Sequence, residues 1–152
     1  MSWLNDDQED WWAEFKRQED EAQQLQIELN NIRMEIANMK VTVHDNYTNI
    51  SGTYLQGSVN STLDELVSAF GPPLDGDMCK TRAEWVIEFE LSTGELIIAT
   101  IYDWKQYDTE LDEVTKWNVG GKDPRAAELV LDYLNYLHDM RVGAHEAARD
   151  VA

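Results

Sequence analysis

Three short clusters carry residue types that do chemistry elsewhere, and each falls short of it. Gly120-Gly121-Lys122 has the glycines and lysine of a phosphate cradle but lacks the earlier glycine and the following Ser/Thr. Asp123 comes next and would repel a phosphate. Asp75-Gly-Asp77 resembles the start of a calcium loop without its third acid or bidentate glutamate. Cys79 stands beside Lys80 and Arg82, which favour a thiolate, yet no histidine motif accompanies it. His44, His138 and His145 are isolated, with no second His or Cys at ligand spacing. The plainer readings are a glycine turn, a solvated acidic loop and an inert thiol. His138 and Arg141 suit the negative end of a helix dipole. No catalytic residues, metal or cofactor are expected.

Charge says more. The 152 residues include 30 acidic and 12 basic side chains, a formal charge of −18. That balance argues against direct contact with nucleic acid or an anionic membrane, and for a protein partner with a basic surface. Screening by salt should stabilise such a self-repelling fold. Met1–Asp10 has neither an apolar core nor a leading positive charge, and no apolar run approaches the ~18 residues of a membrane span. A lone cysteine excludes an internal disulfide, so a cytoplasmic setting is expected. Six tryptophans supply binding surface of the kind that dominates interfaces. The candidates for partner contact are Trp3, Trp11, Trp12, Asp103, Trp104 and Trp117.

These residues must be positioned by a few elements. Leu25, Leu29, Ile32, Ile36 and Met39 alternate steps of four and three, and the same frame catches Trp11, Phe15, Ala22 and Val43. So narrow a seam predicts a coiled coil over residues 1–43, on a helix from about Asn5–Asp7 to Met39 and about 50 Å long. With Leu25 at d, Glu28 and Glu35 fall at g, and Arg33 and Lys40 at e. A parallel in-register dimer then sets Glu28 against Arg33 and Glu35 against Lys40, while Ile32 at d leaves a trimer open. Glu14 would face Glu19, and Gln18 interrupts the seam, so the amino-terminal half is less settled. Trp12 falls at e, where it either contacts a partner or packs over the seam.

A small α+β domain is expected over residues 44–143, with a tail at 144–152. Residues 40–60 read as one or two short strands or a linker. Thr62-Leu-Asp-Glu65 has capping-box spacing and opens a helix that Gly71-Pro72-Pro73 stops. Residues 84–103 alternate as a hairpin around Ser92-Thr-Gly94, and Trp117–Gly121 makes a third strand. Asp123-Pro124 starts a last helix with Ala127, Val130, Leu131, Leu134, Leu137 and Met140 facing the core, ended by Gly143. The architecture predicted is an antiparallel sheet with two packing helices behind a long coiled-coil helix.

The run Gly94-Glu-Leu-Ile-Ile-Ala-Thr-Ile-Tyr-Asp-Trp-Lys105, followed by Trp117-Asn-Val-Gly-Gly121, resembles a pattern in small uncharacterised phage-encoded proteins. The similarity covers residues 61–131 and leaves the heptad helix outside. It implies a small viral accessory protein acting in a bacterial host cytoplasm, and it carries over no catalytic residues. The expected function is therefore a non-enzymatic, oligomeric, acidic binding protein, such as an inhibitor of a bacterial defence or nucleic-acid-handling protein. The alternatives are a structural or scaffold component of a viral particle and, third, an enzyme using acidic residues with a divalent cation.

Overall fold

The structure, a computed structural model, describes residues 6–47 and 50–150. The chain divides into two units, Met1–Ala37 and Asn38–Ala152.

Helix α1 (Asp6–Asn38) dominates the first unit. Its residues are mostly good helix formers with no Gly or Pro, and acidic side chains crowd the end where the dipole is positive. Side chains from Asp10 to Glu35 are all exposed. In the seam, Leu25, Leu29 and Ile32 keep 57%, 42% and 42% of their surface in water, whereas Ile36 is buried.

The heptad does not continue through Met39, Lys40 and Val43 as expected. Met39 follows the helix and is buried, and Lys40 opens strand β1 (Lys40–His44). The physical reason is the Val-Thr-Val alternation, which suits a pleated pairing with β4 (Ala83–Glu90). Val41 lies opposite Phe89 and Val43 opposite Ile87. Lys40 sits across from Glu90 of its own chain, so it is not at an e position facing Glu35 of another. The first unit thus closes at Ala37 rather than residue 43.

The second unit is an antiparallel six-stranded sheet with helices, an α+β fold. Strands β2 (Tyr54–Asn60), β5 (Leu96–Tyr102) and β6 (Lys116–Gly121) complete the order β1-β4-β5-β6-β2, and β3 (Leu74–Asp75) pairs with β4. A register shift between Leu55 and Gly57 marks a bulge at Gln56, whose side chain donates back to the Gly121 carbonyl at 2.9 Å. Trp85, Ile87, Phe89, Ile101, Val119 and Trp117 line the buried face.

Helix α2 (Leu63–Phe70) begins at Thr62, whose hydroxyl accepts from Glu65 N at 3.2 Å. Glu65 in turn accepts from the Ser61 hydroxyl at 2.9 Å. Gly71 ends the helix at φ +82°, where a side chain would be strained. Two indoles tie both ends of α2 to the sheet. Trp117 Nε1 donates to the Ser61 carbonyl at 3.2 Å, and Trp85 Nε1 to the Gly71 carbonyl at 2.9 Å. Their rings meet edge to face, 5.5 Å apart.

Helix α3 (Arg125–Asp150) packs on β2, β5 and β6. Asp123 caps it by accepting from Arg125 N at 2.9 Å. Of the predicted stripe, Val130 is buried and Ala127, Leu134 and Leu137 are half-buried, and Ala126 and Tyr133 join them on the inward face. Leu131 and Met140 are exposed. Both alanines approach sheet glycines closely: a Cβ at Gly121 would come within 2.8 Å of the Ala126 methyl, and one at Gly57 within 3.0 Å of the Ala127 methyl. The helix also runs through Gly143 to Asp150, so His138 and Arg141 are not at its carboxyl end and most of the expected tail is helical.

Burial of Trp117 has a measurable consequence. Trp117→Ala should destabilise the fold by about 3–5 kcal/mol, whereas Trp12→Ala should change it by less than about 0.5 kcal/mol. Urea denaturation followed by circular dichroism checks this, and equal effects would contradict the burial.

Candidate functional site

Strand alternation places Glu84, Thr100, Tyr102 and Gly120 on the sheet face opposite the Trp85–Trp117 core. Glu84 is in register with Tyr102, and Thr100 with Gly120. Over them opens a cavity of about 420 Å³, walled by Tyr47, Ile50, Thr53 and Tyr54 on one side and the turn at Gly76–Thr81 on another. Gly120 keeps its floor low, since a Cβ there would meet Thr100 Oγ1 at 2.6 Å. The paired glycines therefore serve close approach on opposite faces of β6, Gly120 under the cavity and Gly121 under α3. They form neither a turn nor a phosphate cradle.

The turn at 76–81 is built by Asp77. Its Oδ1 accepts from Cys79 N at 2.9 Å, Lys80 N at 2.7 Å and Thr81 N at 2.9 Å. Thr81 Oγ1 accepts from Asp77 N at 2.9 Å in return. These backbone donors lower the Asp77 pKa to about 2. The carboxylate thus serves its own loop, and among the described residues no three His, Cys, Asp or Glu side chains gather as a metal site. Cys79 is exposed.

Asp103, expected at a partner surface, is instead 1% exposed. Its Oδ1 accepts from Arg82 N at 2.8 Å and Ala83 N at 3.1 Å, and its Oδ2 from Arg82 Nε at 3.0 Å. Arg82 also donates to the Gln106 carbonyl at 3.2 Å, and Lys105 N to the Lys80 carbonyl at 2.9 Å. This lattice fixes the chain on both sides of Trp104 and binds it to the start of β4. Trp104 remains exposed at the cavity rim, edge to face with Tyr102 at 6.1 Å. The Lys80 and Lys105 ammonium groups lie 5.6 Å and 5.4 Å from the Trp104 ring centre. Lys105 adopts φ +53° and Met78 φ +61°, so both rim loops hold unusual backbone.

Inside the cavity, burial raises the Glu84 pKa and outweighs the opposing influence of the nearby Tyr47 hydroxyl. The Tyr47 hydroxyl donates its proton to the Asp75 carbonyl. Burial likewise raises Tyr47 and Tyr102, with the Glu84 charge adding to both.

The predicted partner residues thus separate. Trp104 is on the surface, Asp103 holds it there, and Trp117 is core. On α1, Trp11, Trp12 and Phe15 form a ring cluster with centroids 5.3–6.1 Å apart, yet remain at least 49% exposed. Trp3 lies outside the described residues. Glu28, Arg33 and Glu35 are exposed on α1. Gln18 donates to Glu14 of its own helix at 3.3 Å. Sequence periodicity also passed over Ile27 and Met34, exposed at f positions opposite the seam. The cavity was missed because Glu84, Tyr102 and Gly120 become neighbours only through strand pairing.

No helix among the described residues is long and apolar enough to cross a membrane. No family model, curated protein or solved structure matches the chain.

Removing the Asp103 carboxylate strips three donors of their acceptor. Asp103→Ala should cost about 3–5 kcal/mol in urea denaturation and increase the mobility of the Trp104 indole by NMR relaxation. Glu84 and Asp77 should act oppositely with pH. The raised Glu84 pKa means that stability is gained as pH falls through it, and the charged form is penalised at neutral pH. The Asp77 contribution is present above its ordinary value of 3.8 and lost as pH falls towards 2. Glu84→Gln should therefore leave the protein at least as stable at pH 7, and Asp77→Asn should weaken it there. Thermal melts across pH 2–8 read both slopes.

Proposed function

We propose that this chain is a non-enzymatic, self-associating acidic binding protein, which pairs through α1 and engages a protein with a basic surface. The observation that carries this is the exposed row Leu25, Leu29 and Ile32 on a helix whose side chains lie in water from Asp10 to Glu35. Apolar area of this kind returns ~25 cal/mol per Å² when covered, and a second α1 supplies a matching seam. Parallel pairing keeps one attractive flank, Glu28 against Arg33. The Trp11–Trp12–Phe15 cluster lies beyond that stretch and offers rigid aromatic area to another molecule.

The partner fits a bacterial defence or nucleic-acid-handling protein whose basic groove receives a polyanion. The charge of −18 supports this through Coulomb steering. A second reading has α1 docking on a larger assembly such as a viral particle. Ile27 and Met34 favour it, because both stay in water in a two-stranded pairing.

Sedimentation equilibrium of the full chain at roughly 10 µM should show a dimer or trimer. The double variant Leu29→Asp/Ile32→Asp should be monomeric with its sheet unit still melting cooperatively. A wild-type monomer would refute self-association through α1. Retention of one basic host protein at low salt and its release at high salt would support the partner reading, and a homo-oligomer that retains none would favour the assembly reading.

A further inference from the structure

The cavity on the β4–β5–β6 face is unused by that reading. We infer that it is a binding site for an organic cation, a methylated ammonium or guanidinium head, held between aromatic rings and the Glu84 carboxylate. This stands whether or not α1 self-associates, because every lining residue belongs to the second unit.

Charge comes first. The lining contains Glu84 and Asp77, and no Lys, Arg or His among the described residues. Glu84 is half-buried, and no cation among the described residues lines the cavity to compensate its charge. Buried charges are costly unless paired, so an arriving cation gains from Glu84 what solvent no longer supplies. An anion, including any phosphate, meets two carboxylates. A hard divalent ion finds Asp77 Oδ1 already filled by three backbone donors.

The aromatic walls narrow the class further. Tyr47, Tyr54, Tyr102 and Trp104 all line the cavity. Tyr102 and Trp104 stand with ring planes 78° apart and centres 6.1 Å apart, which makes two adjoining walls of a box. Ring faces attract cations, and soft, weakly hydrated ones lose least on leaving water. Trp104 already shows this preference, since Lys80 and Lys105 both rest near its ring. Neither lysine lines the cavity, whereas Glu84 and Trp104 both do. The volume of about 420 Å³ holds roughly a dozen waters at ~30 Å³ each, room for a head group and a short stem.

Such a head arrives either on a free small molecule or as a Lys or Arg side chain of a basic protein. The test uses the full chain, with ligand binding read from the Trp104 indole and Tyr102 amide NMR signals. Choline and methylguanidinium are titrated against 3,3-dimethylbutanol, the neutral analogue of choline. At least one cation should saturate, with the neutral analogue about tenfold weaker or worse. Glu84→Gln, which the burial of Glu84 leaves folded, should weaken the cation about tenfold, and Trp104→Ala should do the same. Equal binding of the neutral analogue, no cation binding, or indifference to Glu84→Gln would each overturn the inference. End-blocked tripeptides centred on arginine, lysine or trimethyllysine separate the sources. Tighter binding than choline assigns the site to a partner's side chain, and weaker binding to a free cation.

Discussion

The buried Asp103 carboxylate is the contact on which the candidate site depends. It gathers two backbone N–H groups and the Arg82 guanidinium at one point, where β5 has just ended and β4 is about to begin. A carboxylate so enclosed needs all of its partners, because an unmatched charge at that depth would be heavily penalised. Satisfying it fixes the path of the next three residues. Trp104 is therefore presented at the cavity rim by a rigid support, and its exposure reflects positioning rather than a loose loop. On the far side of the sheet, the Trp85 and Trp117 indoles play the corresponding part by holding both ends of α2.

The two units raise different physical questions. In the first, the backbone of α1 satisfies its own hydrogen bonds, but the apolar row from Trp11 to Ile32 lies in water. Such a surface gains from any partner that covers it, and the surrounding acids bias which partner approaches. The second unit has a complete core of its own. Its open feature is a small polar and aromatic recess, lined by the carboxylates of Glu84 and Asp77.

Much of the fold was legible because local rules and tertiary context agreed. Thr62 and Glu65 mark the start of α2, Gly71 its end, and Asp123 with Pro124 the start of α3. The 84–103 hairpin follows from period-two alternation with a glycine turn. Legibility failed where two periods overlapped. Lys40 and Val43 continue the heptad frame by spacing alone, yet strand pairing with Glu90 and Ile87 claims them. On α3, spacing found Val130 but also put Leu131 and Met140 on the inner face, where the structure leaves both exposed, and it passed over Ala126, which meets Gly121.

What the sequence determined by itself is what depends on near neighbours: the long charged helix, the caps, the hairpin, the acidity and the lack of a recognisable nucleophile or metal motif. Residue type could not tell which tryptophan is surface and which is core. Trp104 and Trp117 sit in similarly polar stretches, and only sheet order turns one outward and the other against Trp85. The cavity likewise exists only because pairing brings Glu84, Tyr102 and Gly120 together from three strands. Register is a property of the whole sheet, and a shift of one residue would send each of these side chains to the opposite face.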